Sequence, residues 1–274
     1  MKLAFSSLGM PGAGINELIR CAEAGKAEGL ELRIAAGDAI SQDMPASAQR
    51  SVKQRLEDSG LTLIALSSYI QICSPEPDED VIRALHQSLE LAATLGAGGV
   101  RIFPGADRGN GETKDWDQIA AGRLSVAAEA ASGLGVDLLL ETHDSHPTGR
   151  DISRILRLVE PAGTTKAIWD VLHPWRHGER PEETASDLQG SLAYCQFKDA
   201  VLGPEPGSVI LTLPGRGAIP ITEIARIAEE VSRRQGDQTF WACLEWEKAW
   251  HPYLEDLPAA LSAFRAILKP EATP

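Results

Sequence analysis

A single closed (β/α)8 TIM barrel spanning residues 1–274 is the fold this sequence predicts, and three observations predict it. Eight short apolar runs alternate with amphipathic helical stretches along the whole chain. The runs begin at residues 2, 30, 62, 99, 136, 166, 192 and 241, so each interval holds one strand and one helix, the last with room for an extra loop. No linker-like composition divides the 274 residues, and single α/β barrels routinely occupy about 250.

The runs themselves are residues 2–5, 30–34, 62–66, 99–103, 136–140, 166–169, 192–197 and 241–244. Most are continuously apolar rather than alternating, as strands covered on both faces of a parallel sheet must be. Between them, Leu18, Cys21, Ala22 and Gly25 share one helical face, with Gly29 as the expected terminator. Ile82, Leu85, Leu89 and Ala92 step by three, four and three, the spacing of a helix with one buried side. Asp151, ahead of Ile152-Ser153-Arg154-Ile155-Leu156, is placed to cap the fifth helix. Pro220 opens a helix over 221–231, and the last helix, about 257–268, stops before Pro270. The glycine-rich residues 9–14 imitate a dinucleotide-binding turn, but Pro11 interrupts them and no G-x-G-x-x-G is spelled out, so a plain loop is expected.

Composition narrows the function. Hydrophobic residues at 43% and charged residues at 24% describe an ordinary globular chain. With 39 acidic against 26 basic side chains, the net charge of -13 repels nucleic-acid phosphates and anionic membranes, and no basic run exceeds Arg233-Arg234. Neither nucleic acid nor membrane is therefore expected as a partner. Cys21, Cys73, Cys195 and Cys243 stand far apart without a C-x-x-C pair, which fits a reducing, cytoplasmic setting. The opening apolar stretch is too brief for a signal peptide, and no run approaches the ~18 residues of a membrane helix.

In such a barrel the chemistry sits where the strands end. Strand five ends Leu140-Glu141-Thr142-His143, strand six Trp169-Asp170-Val171-Leu172-His173, strand seven Gln196-Phe197-Lys198-Asp199 and strand eight Leu244-Glu245-Trp246-Glu247. Any one of these acids, taken alone, is as readily a helix cap or a salt-bridge partner. Neighbouring parallel strands lie ~4.8 Å apart, so four successive ends can converge on one point. Three carboxylates meeting there repel one another unless protonated or bridged by a cation. The simplest bridge is one divalent metal held by Glu141, Asp170, Gln196 and Glu245. Such an all-oxygen set suits Mg²⁺ or Mn²⁺ better than Zn²⁺.

These stretches, together with Gly29-Leu30-Glu31-Leu32-Arg33, Val100-Arg101-Ile102-Phe103-Pro104-Gly105 and Gly215-Arg216-Gly217-Ala218-Ile219, resemble the xylose isomerase-like barrel superfamily, in its sugar phosphate isomerase/epimerase branch. The resemblance runs over essentially the whole chain. It implies a metal held by the strand-five Glu, the strand-six Asp, a strand-seven His and the strand-eight Glu, with Glu141 and Glu245 doubling as acid and base. Here Gln196 stands where the family more often has His, and its amide oxygen is a weaker ligand for transition metals.

The resemblance implies a metal-dependent isomerase or epimerase that removes a proton beside the carbonyl of a keto-sugar or related polyol. A lyase that then expels a β-hydroxyl begins at the same enediolate. A non-catalytic sugar-binding relative and a metal-dependent endonuclease are weaker alternatives, the last opposed by the charge and the few histidines. His173 either donates to a substrate oxygen or packs near Trp175. His143 is a candidate neighbour of the ligands, and His146 is expected on a loop surface. Arg216 either clamps an anionic or hydroxyl group or is an exposed turn residue. Lys198 is a candidate for substrate binding, or pairs with Asp199 to brace the strand. Glu31 reaches the substrate by family resemblance. Trp241, Trp246 and Trp250 are read as core or pocket wall, and residues 175–177 as a loop suited to homo-oligomer contact.

Overall fold

The computed structural model describes residues 1–106, 115–236 and 239–268. Eight parallel strands close into the expected barrel: β1 (Lys2–Ser6), β2 (Gly29–Arg33), β3 (Thr62–Gln71), β4 (Gly99–Phe103), β5 (Asp137–Glu141), β6 (Thr165–Asp170), β7 (Leu192–Phe197) and β10 (Trp241–Leu244). Each strand pairs with its neighbour in chain order, and β1 closes the ring against β10, with Lys2 opposite Trp241 and Phe5 opposite Leu244. The helices between them are α1 (Ile15–Gly25), α2 (Ala46–Ser59), α3 (Asp78–Leu95), α4 (Trp116–Leu134), α5 (Gly149–Leu156), the short α6 (Leu172–Arg176) and α7 (Pro181–Asp187), α8 (Ile221–Gln235) and α9 (Leu257–Leu268). None of the described helices is long and apolar enough to cross a membrane.

Two apolar layers explain the continuous runs. The larger lies between strands and helices, where Leu30, Leu32, Val100, Leu138, Leu140, Trp169 and Phe197 meet Leu85, Leu89, Leu124 and Phe264. The smaller plugs the barrel interior with Ala4, Ile64, Ala65, Leu139, Ile168, Tyr194 and Cys243. Side chains alternate along a strand, so the residue two positions after each interior plug residue points inward one layer higher. Those next residues include Glu141 after Leu139, Asp170 after Ile168, Gln196 after Tyr194 and Glu245 after Cys243. An apolar floor thus carries a polar layer at the C-terminal mouth.

Several local expectations are corrected. Helix α1 ends at Gly25 with Lys26 left-handed at φ 55°, and Gly29 instead begins β2. There a side chain would strike Trp241, with a Cβ 2.7 Å from the ring. Thr148, not Asp151, caps α5: its hydroxyl accepts from the Asp151 amide while the Asp151 carboxylate accepts from the Thr148 amide, a reciprocal box. Helix α8 runs on to Gln235, four residues past its expected end. Residues 172–176 are helical, so the expected 175–177 loop is a helix end. Pro270 lies outside the described residues. The long connection after β7 contains an antiparallel hairpin, β8 (Asp199–Leu202) with β9 (Val209–Thr212), which the barrel periodicity does not announce. Gly9 closes a single 3-10 turn, Ser7–Gly9, and residues 10–14 form a bend and turn leading into α1, so this stretch is a loop in the main.

Candidate active site

Glu141, Asp170 and Glu245 each offer an oxygen within 4.8 Å of the others, and all three are buried. Strand register brings them together: Asp170 pairs with Gln196, which in turn pairs with Cys243, two residues before Glu245. Gln196 is wholly buried among them. Its amide nitrogen donates to Glu31 Oε2 at 2.9 Å and Glu245 Oε1 at 3.2 Å, leaving its Oε1 without a donor. Glu31 also accepts the Tyr194 hydroxyl at 2.5 Å, so it sits at the base of the site rather than at its rim.

Two buried cations balance this acid layer. Arg101 Nη1 donates to Glu141 Oε2 at 3.0 Å, and its guanidinium lies 3.9 Å from the centre of the Phe103 ring. Lys198 Nζ donates to Asp170 Oδ2 at 2.7 Å, to Glu247 Oε1 at 2.5 Å, and to Glu245 Oε2. Lys198 therefore does not pair with Asp199. The Asp199 carboxylate instead accepts the backbone amides of Ala200, Gly215, Gly217 and Ile219, and so folds the loop after β9.

Burial dominates the electrostatics. It pushes Glu141 up to about 8, against the pull of Arg101 and with the repulsion of Glu245. It raises Asp170 to about 6 despite the opposing Lys198 ammonium. His173 is driven well below its ordinary value by burial and by the charges of His143 and Lys198, so it is neutral. His143 moves the other way: burial opposes its charge, but the hydrogen bond to Asp144 at 3.2 Å and the Glu141 carboxylate outweigh it.

A chain of rings runs from the rim to the acid cluster on one side. Trp250 meets Tyr69 edge-on at 6.4 Å, Tyr69 lies 6.1 Å from Phe103, Phe103 is 4.2 Å from His143, and His143 is 4.3 Å from His173. His143 lies beyond the end of β5, in a turn closed by backbone hydrogen bonds with His146. His173 Nε2 approaches Asp170 Oδ2 at 3.5 Å, and its Nδ1 is buried without a partner.

The structure thus gathers Glu31, Glu141, His143, Asp170, His173, Gln196, Lys198 and Glu245, and leaves Arg216 on an exposed turn. His146 is not a surface residue: it is 1% exposed, bonded to Ser145 Oγ and Asp117 Oδ1, and ties the loop after β5 to α4. The tryptophans divide. Trp246 is core, Trp241 packs at the opposite end of the barrel beside Gly29, and Trp250 stands at the rim beside Arg33. Arg101, Tyr69, Phe103, Asp144, Tyr194 and Glu247 belong to the site and were not singled out from the sequence. Arg101 carried a signal, a charge in the middle of the buried run Gly99–Phe103.

The donor set fits a hard divalent cation. Three carboxylates converge, and Glu141 Oε1 and Gln196 Oε1 are buried oxygens without a hydrogen-bond donor. A second grouping, Glu141 with His143 and His173, adds imidazole nitrogens at the same mouth. A barrel carrying a buried carboxylate cluster at the C-terminal ends of its strands defines the class of protein.

The sequence profile of the xylose isomerase-like TIM barrel family matches residues 18–265, and the chain belongs to that family. No curated protein matches it by sequence. Among solved structures, a probable 3-DHS dehydratase involved in petrobactin synthesis from Bacillus anthracis superposes with a TM-score of 0.77 at 17% identity, covering 99% of this chain and 100% of that one. A D-psicose 3-epimerase from Clostridium cellulolyticum H10 does so with a TM-score of 0.76 at 15% identity, covering 98% and 100%. A xylose isomerase-like barrel protein from Mycobacterium smegmatis, in complex with magnesium, gives 0.74 at 17%, covering 97% and 95%.

Proposed function

We propose that the chain is an isomerase or epimerase that acts on a keto-sugar or related polyol by removing a proton beside the carbonyl, with one divalent metal ion as cofactor. Mn²⁺ or Mg²⁺ is the expected ion and Zn²⁺ the alternative. The observation that carries this reading is the convergence of Glu141, Asp170 and Glu245 in one buried cluster with unsatisfied oxygens.

Glu141, Asp170, Gln196 and Glu245 would hold the metal, which supplies Lewis-acid polarisation of the carbonyl and its neighbouring hydroxyl. Glu141 and Glu245 take and return the proton on either side of the enediolate. Burial that lifts Glu141 toward neutrality in the metal-free protein makes its carboxylate a stronger base. Neutral His173 presents an imidazole N–H to a substrate oxygen, and Arg101 fixes the Glu141 carboxylate. Tyr69, Phe103 and Trp250 form an apolar wall that keeps water from the reacting carbon.

Incubation with a panel of keto-sugars in D₂O with Mn²⁺ tests the reading. Deuterium should enter at the carbon next to the carbonyl in a product of otherwise unchanged constitution. Absence of exchange across the panel with Mn²⁺, Mg²⁺ and Zn²⁺ alike would remove it.

One observation favours dehydration as a second reading. The His143 and His173 rings lie 4.3 Å apart, tilted by 55°, with opposite protonation tendencies, an acid and a base side by side. Such a pair suits departure of a hydroxyl from the carbon next to the one deprotonated. Loss of one water in the product mass distinguishes it from isomerisation.

A further inference from the structure

The Lys198 ammonium occupies the same acids that would hold a metal. It donates to Asp170 at 2.7 Å and to Glu245, and it is 2% exposed, so no solvent screens it. We propose that Lys198 is a resident cation of the metal-free site, and that divalent metal binds by displacing it from Asp170 and Glu245. The proposal rests on the metal reading above.

Charge requires some such device. Glu31, Glu141, Asp170, Glu245 and Glu247 crowd one mouth, and Arg101 and Lys198 are the lysine and arginine side chains seen paired with them among the described residues. Arg101 is committed to Glu141, so the other half of the cluster depends on Lys198. Buried carboxylates left without a cation are expensive, so a lysine there lets the barrel fold before metal arrives. An ammonium and a divalent ion sharing two carboxylates then repel at short range in a medium of low dielectric. Glu247 provides the way out. It accepts from Lys198 at 2.5 Å and lies outside the proposed ligand set, so the displaced ammonium keeps a partner. Metal affinity in this chain is accordingly set by an exchange of cations, and not only by the replacement of the usual His by Gln196.

The test is Mn²⁺ binding to chelator-treated protein, followed by calorimetry and by loss of the free-ion paramagnetic resonance signal. Lys198→Gln should bind Mn²⁺ more tightly by about tenfold or more. Lys166→Gln, which removes the same charge from the opposite end of the barrel beside Asp137, should leave the affinity unchanged. Without metal, Lys198→Gln should melt below wild type, and saturating Mn²⁺ should close the gap. In wild-type protein carrying ¹⁵N-lysine, the protected side-chain nitrogen resonance of a buried ion pair should shift on adding Mg²⁺, a readout that needs no variant. Equal or weaker Mn²⁺ affinity in Lys198→Gln, or a lysine signal indifferent to Mg²⁺, overturns the exchange while leaving the metal reading intact. Failure of wild type and variant alike to bind Mn²⁺, Mg²⁺ or Zn²⁺ overturns both.

Discussion

Replacing Glu141 by Gln should change how the stability of the metal-free protein responds to pH. The Glu141 carboxyl sits at about 8 in the fold against 4.5 in the unfolded chain, because burial outweighs the attraction of Arg101. A group raised in this way binds its proton more tightly when folded. Its contribution is fully present below 4.5 and is lost as pH rises through about 8. Between pH 6.5 and 8 the unfolded carboxylate is already ionised while the folded one is giving up its proton, which costs about 1 to 2 kcal/mol. Raised His143 adds loss of the same sign, and lowered His173 opposes it near its unfolded value, so the difference between wild type and variant is the informative quantity. Urea unfolding of chelator-treated protein at pH 6.5, 7.2 and 8 measures it. Wild type should fall relative to Glu141→Gln across this window. Parallel curves, or a wild type that gains on the variant, would refute the assignment of a strained, buried acid at this position.

Glu141→Gln and Glu245→Gln should each lower turnover by roughly 10²- to 10⁴-fold, the usual worth of a positioned acid or base, with unchanged far-ultraviolet circular dichroism. Near-normal rates in both variants would move the proton transfer elsewhere. Arg101→Met strips Glu141 of its buried partner, but with the carboxyl held at about 8 the acid left behind is largely protonated at neutral pH, so urea unfolding of metal-free protein should show a loss of about 1 to 3 kcal/mol there. The penalty should grow as pH rises past 8, where the unpaired carboxyl would have to ionise. Thr148→Ala removes the side-chain cap of α5 and should cost about 1 kcal/mol, read as a lower urea midpoint with turnover unaffected.

Much of the site was legible in the primary structure because strand periodicity is local. Each acid stands at the end of an apolar run, and Leu139 with Glu141, Ile168 with Asp170 and Cys243 with Glu245 share a face by two-residue alternation, while barrel closure decides that this face is the inner one. Lys198 follows the same parity, two residues after Gln196, yet its partners lie 28 and 47 residues away and nothing nearby in the chain indicates them. Asp199, its neighbour, was the tempting partner, but it points to the opposite side and gathers loop amides. His146 misled because a histidine before proline reads as loop, whereas Asp117, from a helix 29 residues earlier, draws it inside. The hairpin after β7 was hidden inside an interval that needed only one strand and one helix.

The order of residues alone determined the barrel, its eight strands and the oxygen-bearing side chains at the ends of the last four, since apolar runs, their spacing and helical periodicity are properties of neighbouring residues. Tertiary structure decided which charges meet. The Arg101–Glu141 pair, the Lys198 bridge, the Tyr194–Glu31–Gln196 network and the rings from Trp250 to His173 join residues up to 181 positions apart, the separation of Tyr69 and Trp250. Such contacts depend on barrel closure and strand register, and on the cost of burying each charge without a partner, which no local pattern records.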